Sequence, residues 1–391
     1  MKILKITLIT LAVLALAGWF LLFRSVPLKI SPETTILTEP RTEDGKWVDY
    51  RAYLISQFPK DGNTEKNSAR GMLELFGLEG EYAPTFKPEY WEMLGLEPFD
   101  ENRKAPFSIS CDFIMDEKFR DCEKVEDYFA VAPEAVREYV TAASPALDAM
   151  VEVIQKAEFY AFPLVASSPD DLISALMPDI STLHEIARVF EFRAWLREKD
   201  GDQEGADADR LVLLKFGRQM QNEAVTIVTL LVGKKIEKMG ADLKDPEKWK
   251  TLEPINREEN LQRVLEIESL FVPGVIQNAS RTGRMDGFAD AFRIAGEVPD
   301  DLFGWSLTHL GIDWNVVAMR LNETTQKVYF PEENAAPFEI PRYDSGSGFL
   351  KLLSRRARSK ILADFLARTL TLYGIPELRQ RILEDVPAPA P

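Results

Sequence analysis

His184 is followed at once by Glu185, and a His-Glu pair opening a helical stretch is the first half of a zinc-binding signature whose second His comes one turn later. That later position is Arg188. The signature fails, and on a helix His184 falls beside Arg188, off the apolar face, as a solvated surface histidine. The other histidine, His309, has Asp313 one turn on and Trp305 one turn back. A carboxylate at that spacing could orient an imidazole for general-base work. No Ser or Cys nucleophile can be assigned to it, and an aromatic-rich helix reads as core.

Asp200-Gly201-Asp202-Gln203-Glu204-Gly205 begins like a calcium loop, with oxygen ligands at positions 1, 3 and 5 and Gly at 6. Position 12, which needs a bidentate Glu, is Leu211. The stretch reads instead as a helix connector in which Asp202 caps the following helix. Cys111 and Cys122 are separated by ten residues. In an oxidising compartment they could close a disulfide, stabilising by about 3 kcal/mol in the chain-entropy model. The alternative is two reduced thiols, which Asp116, Glu117, Asp121 and Glu123 would keep protonated and unreactive. Gly-rich phosphate loops, nucleophile elbows and dinucleotide fingerprints are absent from the sequence. Neither a cofactor nor a metal is expected, and no catalytic residue can be named.

Positioning falls to a chain of 391 residues, 46% hydrophobic and 28% charged, with a formal net charge of -16. Such a field repels phosphate backbones and argues against nucleic acid as a partner. Ile6 to Phe23 are 18 consecutive uncharged positions, about 27 Å of helix, close to the thickness of the hydrocarbon core. Lys2 and Lys5 before it favour a cytoplasmic N-terminus, so residues 1–24 are expected to anchor the chain in the inner (cytoplasmic) membrane. The single pass would leave the bulk facing the periplasm or cell exterior. Cleavage after Ala15-Leu16-Ala17 is the competing signal-peptide reading, and it exports the same mass.

Residues 25–46 are rich in Pro, Thr and Glu and read as an extended tether that either lies on the domain or reaches away from the membrane. The expected fold beyond is mainly α: a multi-helix domain of antiparallel αα-hairpins over 47–386, with few or no strands and a division near 240–255. Modest helices are expected at 47–57, 65–76 and 88–95, before a short strand-like alternation from Phe107 to Ile114. A further helix starts at Ala132-Pro133-Glu134. Leu183, Ile186, Ala187, Phe190 and Ala194 make one apolar face. Leu213, Phe216, Met220, Ala224, Ile227 and Leu231 make another, read as a single helix. Further helices are expected near 256–271, 285–295, 300–322 and 349–373. The last carries Lys351, Arg355 and Arg358 on one face, with Arg356 and Lys360 beside them, a pattern suited to anionic lipid headgroups or to salt bridges within an acidic protein. The loop 331–348, with Phe338 and Tyr343, is the candidate partner-binding segment. Residues 387–391 form a Pro-rich disordered tail. Asn278-Ala279-Ser280 and Asn322-Glu323-Thr324 match the glycosylation acceptor pattern, which arises often by chance.

Four stretches carry a resemblance: Ser31–Pro40 running into Val48-Asp49-Tyr50; Lys66-Asn67-Ser68-Ala69-Arg70 leading into Leu75-Phe76-Gly77; Tyr90-Trp91-Glu92-Met93-Leu94-Gly95; and Ala194-Trp195-Leu196 with Asp200-Gly201-Asp202 and Leu214. Together they resemble a group of uncharacterised, membrane-anchored helical proteins of planctomycete and verrucomicrobial bacteria. The resemblance covers roughly residues 1–240 and implies an envelope location and a helical fold, but no activity. The hairpin itself is similar to one tetratricopeptide-type helix pair without a second copy at the 34-residue period. The expected function is a membrane-anchored extracytoplasmic binding or scaffolding protein. Its partners would be membrane lipid through the anchor and a protein of the envelope. The alternatives are an envelope hydrolase working through carboxylates, or a solute-binding protein.

Overall fold

Helices begin where the chain offers a cap. The side chains of Asn67, Asp202, Thr226, Asp245 and Asp313 each accept a hydrogen bond from a backbone N–H in the first turn of the helix that follows. The computed structural model describes residues 24–77, 88–97, 105–107, 113, 116–122, 124–165, 180–282, 312–330, 356, 359–360, 362–363 and 375–384. Within them run α1 (Pro32–Thr35), α2 (Tyr50–Ser56), α3 (Ser68–Phe76), α4 (Pro88–Met93), a 3₁₀ turn (Glu117–Phe119), α5 (Val125–Val131) and α6 (Pro133–Lys156). There follow α7 (Ile180–Lys199), α8 (Gln203–Asn222), α9 (Ile227–Met239), α10 (Pro246–Lys250), α11 (Arg257–Glu268), α12 (Phe271–Thr282), α13 (Trp314–Tyr329) and α14 (Ile375–Leu383). The protein is mainly α. Among the described residues the only β pairing is three isolated bridges, and the alternation expected over Phe107–Ile114 lies mostly outside them. No helix of the described residues is long and apolar enough to cross a membrane. The expected anchor, Ile6 to Phe23, lies outside the described residues, as do Phe338, Tyr343 and the tail 387–391.

The chain packs as two compact units. The first takes residues 1–53, 166–175 and 269–378, and its core joins Leu28 to Ile276 of α12 and Val317 and Leu321 of α13. The 25–46 segment, expected as a tether, is sewn onto this core. Ile312 donates its backbone N–H to Ser25 Oγ, Val26 bridges Asp313, Leu28 N–H donates to Ser280 Oγ at 2.8 Å, and Lys29 N–H to Asn315 Oδ1 at 2.7 Å. Gln277 clamps the Val48 peptide from both sides, accepting its N–H at 3.1 Å and donating to its carbonyl at 2.8 Å. Tyr50 is fully buried and donates its hydroxyl to the Thr35 carbonyl at 2.8 Å. Burial pushes its phenol pKa well up.

The second unit holds residues 54–165, 176–268 and 379–391. Its core stacks α6, α7 and α8 around Leu147, Met150, Ile154, Ile186, Phe190 and Phe216. These are between 0 and 1% exposed, so truncating any of the aliphatic ones to Ala should cost roughly 2–5 kcal/mol. The expected α7 face is buried throughout, from Leu183 to Ala194. Asn67 shows why its stretch reads as it does. The buried carboxamide accepts from Ala69 and Ala161 N–H and donates to the Gly62 and Ala161 carbonyls, so every contact it makes is a structural joint.

One break departs from the periodicity. The helix expected to run from Leu213 through Leu231 stops at Asn222 and restarts at Ile227. Arg263 donates to the carbonyls of Asn222 and Ala224, Thr226 caps α9, and Glu268 accepts the Ile227 N–H at 3.0 Å. These side chains satisfy the interrupted backbone, and a regular apolar period could not reveal them. The helix expected at 256–271 is met by α11, which ends at Glu268, and a further helix, α12, starts at Phe271 where none was expected. One of the points where the chain passes between the units lies there, between Glu268 and Ser269. Residues 240–255 stay with the second unit because Leu243 and Leu252 pack on Leu214, and Arg218 donates to the Glu253 carbonyl at 2.7 Å.

Antiparallel α8 and α9 meet at unusual proximity. A Cβ placed on Gly217 would stand 2.5 Å from the Gly233 carbonyl oxygen, and one on Gly233 would stand 2.9 Å from the Gly217 carbonyl oxygen. Only glycine fits at this crossing.

Candidate functional site

The α7–α8 turn does what the acidic motif needs without a cation. Asp202 accepts the Gly205 N–H at 2.9 Å, and Asp200 pairs with Arg137 at 3.1 Å. Folding back at Gly201 brings Arg193 opposite Asp209. Arg193 is 5% exposed at its side chain and Asp209 only 1%. Arg193 donates through Nη2 to Asp209 Oδ1 at 2.7 Å and through Nε to Oδ2 at 3.0 Å. Its Nη1 reaches Asp148 on α6 at 2.7 Å. One turn along α7, Arg197 Nη1 adds a bond to Asp209 Oδ2 at 2.9 Å and another to the Gly205 carbonyl at 3.2 Å. Three helices are thus pinned through two guanidiniums and two carboxylates. Burial pushes the Asp209 carboxyl up, outweighing Arg193 and Arg197, and the second carboxylate at Asp148 adds to the rise.

This cluster forms one wall of a half-open cleft of about 430 Å³. α6 contributes Val151, Ile154 and Gln155, α8 contributes Leu211, Val212 and Lys215, and Lys248, Thr251 and Leu252 close the far side. Lys215 Nζ donates to the Gln155 carbonyl at 3.3 Å, and Lys248 Nζ to the Glu204 carbonyl at 3.4 Å. Among the described residues neither lysine has a carboxylate within ion-pair distance. In a chain of net charge -16, the cleft therefore gathers four cations, Arg193, Arg197, Lys215 and Lys248, against two carboxylates, Asp148 and Asp209. Its floor is aliphatic. Such a surface recognises an anion with an apolar part.

The sequence pointed elsewhere. Arg193 and Asp209 stand equidistant from Gly201, so a mirror reading of the hairpin about its turn would have paired them, but single-helix spacing does not.

His184 is not the solvated residue its helical position implied. It is half-buried, its Nε2 is buried without a partner, and burial, with Lys235 and Arg188 adding, pushes its pKa down to about 4. Its neighbour Glu185 is 5% exposed, and burial pushes its carboxyl up to about 7, against the pull of the Tyr139 hydroxyl at 3.2 Å and of Arg188. The reason is that α7 is covered on more than one side, with Arg188 stacked over the Tyr128 ring of α5 and bonded to Glu191 at 2.7 Å.

Cys122 is a half-buried free thiol, held protonated by burial and by Asp127 and Asp121. Cys111, its expected partner, lies outside the described residues. So do His309, Trp305, Lys351, Arg355 and Arg358. Asp313 caps α13, accepting the Asn315 N–H. Arg356 and Lys360 border a shallow groove of about 580 Å³ in the first unit, with Arg320 and the 51%-exposed Met319. Glu33 and Glu323 line it too and offset two of its three cations. Both glycosylation patterns sit in helices: Asn278 is half-exposed in α12, and Asn322 of α13 is 5% exposed and donates to the Glu33 carbonyl. Among the described residues no cluster of three or more His, Cys, Asp or Glu side chains could hold a metal ion. No protein-family model, curated protein or solved structure matches the chain.

Proposed function

We propose that the protein is a non-catalytic binding protein, held at the outer face of the cytoplasmic membrane by residues 6–23, whose cleft between α6, α7 and α8 receives a negatively charged ligand. The observation that carries this is the inverted charge of the cleft, four cations over an aliphatic floor in a strongly acidic chain. A scaffolding role is the same reading when the ligand belongs to an envelope protein.

The hydrolase alternative asks for two carboxylates free to act as acid and base. The cleft offers Asp148 and Asp209, and both are bonded to Arg193. Both are held in place by the same guanidinium instead of being free to meet a substrate, which favours binding over catalysis.

A photo-crosslinking amino acid placed at Lys248 of the full chain in living cells tests the reading. We expect a reproducible adduct, identified by mass, that disappears when Arg197→Glu is added. If neither Lys248 nor Lys215 nor Thr251 gives an adduct, the cleft is not a binding site and the proposal falls.

A further inference from the structure

We infer that the ligand is an amphipathic monoanion, a carboxylate borne on an aliphatic chain of modest length. This rests on the binding reading above and names the chemistry the cleft selects. Among the described residues every apolar side chain lining it is aliphatic, including Val151, Ile154, Val212 and Leu252, and no aromatic ring lines it. A flat ring would find nothing to stack on. The uncharged polar side chains along it are Gln155 and Thr251, too few to satisfy the hydroxyls of a sugar. An alkyl chain needs neither.

The head is set by the cations. Arg193 is bonded through three nitrogens to Asp209, Asp148 and the Ser144 carbonyl, and it stiffens the wall. Arg197 is 33% exposed, and its two bonds to protein acceptors both run through Nη1. Its Nε pairs with Asp202 Oδ2 at 3.9 Å, which leaves Nη2 as its donor for a ligand, and Lys215 and Lys248 line the same cleft. Two charges of each sign cancel within the wall, which leaves the two lysines as the surplus. A carboxylate head between them accepts a charge-assisted hydrogen bond from each ammonium group, and the one positive charge left over sits on half-exposed side chains that water can solvate. The volume, about 430 Å³, holds on the order of a dozen heavy atoms at roughly 30 Å³ each. Gln155, Lys215 and Leu252 also line a separate, smaller recess of about 170 Å³ bordered by Arg218 and Glu158. Two sources share this chemistry: a free medium-chain fatty acid, and the C-terminal carboxylate of a peptide ending in aliphatic residues.

Calorimetric titration of the full chain in nanodiscs, with empty discs subtracted, separates the claims. The probes are octanoate, 1-octanol, acetate, and acetyl-leucyl-leucine as free acid and as amide. Octanoate should bind more tightly than acetate or 1-octanol by about tenfold or more, and the double variant K215Q/K248Q should lose about tenfold while its thermal midpoint stays unchanged. A peptide acid that binds tighter than both its amide and octanoate assigns the carboxylate to a chain end; the reverse order assigns it to a free acyl chain.

If 1-octanol equals octanoate, the charged head is wrong. If acetate equals octanoate, the tail is wrong. Absence of binding by every probe overturns the inference. In that case an adduct from Lys248 in cells leaves the binding reading standing, and loss of that adduct as well removes both.

Discussion

Two buried carboxylates in the second unit are each gripped by two arginines, yet they end in opposite electrostatic states. Glu237 on α9 is fully buried and accepts from Arg218 Nε at 3.0 Å, from Arg257 Nη2 on both oxygens at 2.9 Å, and from Gln221 Nε2 at 2.9 Å. Burial opposes its charge, but Gln221, Arg257 and Arg218 outweigh it and hold the carboxyl below its usual range. Asp209 is almost as buried, but its principal partner Arg193 is shared with Asp148, and its carboxyl is pushed up. The first cluster is closed on itself, where α8 and α9 touch through Gly217 and Gly233. The second lies open to the cleft, and Asp148 is 67% exposed at its side chain. A buried carboxylate held by two guanidiniums makes a lock in one place and the wall of a binding site in the other. The difference lies in whether the partners are shared and whether water can enter.

The largest test of this contrast is Glu237→Ala against Asp209→Ala, compared by urea denaturation. Removing Glu237 takes from Arg218 and Arg257 the carboxylate they share in a mostly buried site and should cost about 3–5 kcal/mol. Removing Asp209 leaves Arg193 bonded to Asp148 and opens the site to water, so its cost should be smaller by at least about 1 kcal/mol. Equal losses would erase the distinction.

Glu185 extends the comparison to a buried carboxyl without a full set of donors. Its folded pKa of about 7 stands above the unfolded 4.5, so its stabilising contribution is complete below about 4.5 and is lost as pH rises through about 7. Glu185→Gln should therefore gain on the parent by about 3 kcal/mol between those limits. His184, with its pKa lowered from 6.5 to about 4, acts in the other direction and destabilises the fold as pH falls below 6.5. The parent should thus show a shallow pH profile that either single substitution steepens. A variant whose stability tracks the parent at every pH would refute the assignment.

Gly217→Ala probes the seal itself. The added methyl group meets backbone atoms of α9 and not a yielding side chain, so about 1–3 kcal/mol should be lost. Hydrogen exchange should accelerate around Glu237 and remain unchanged around Asp209. The smallest expected effect is on the stability of K215Q/K248Q, within about 0.5 kcal/mol of the parent. A larger loss would make those lysines structural and return the cleft to ordinary surface.

The legible part of the fold lay in short-range signals. Asp202 as a cap, the apolar face from Leu183 to Ala194, and the turn at Gly201 all follow from spacing within one helix or one connection. The break after Asn222 was hidden because Ala224 and Ile227 preserve the apolar period across it, while the groups that permit it, Arg263 and Glu268, lie some forty residues on. The cleft was hidden for the same reason. Asp148, Arg193 and Lys248 meet only after three helices have packed, and among 63 acidic and 47 basic residues no local pattern marks those few. His184 misled because helical position alone does not tell how many neighbours will cover a helix.

The stitching of residues 25–35 to α12 and α13 bears on mechanics. Ser25 is already fastened to Ile312, two residues after Phe23, a reach of about 7 Å at full extension. Whatever holds the chain before Ser25 would therefore act on the first unit as on a bolted bracket, not through a slack line, and a pull or twist there would be delivered to Ile312 and Asp313 at the start of α13.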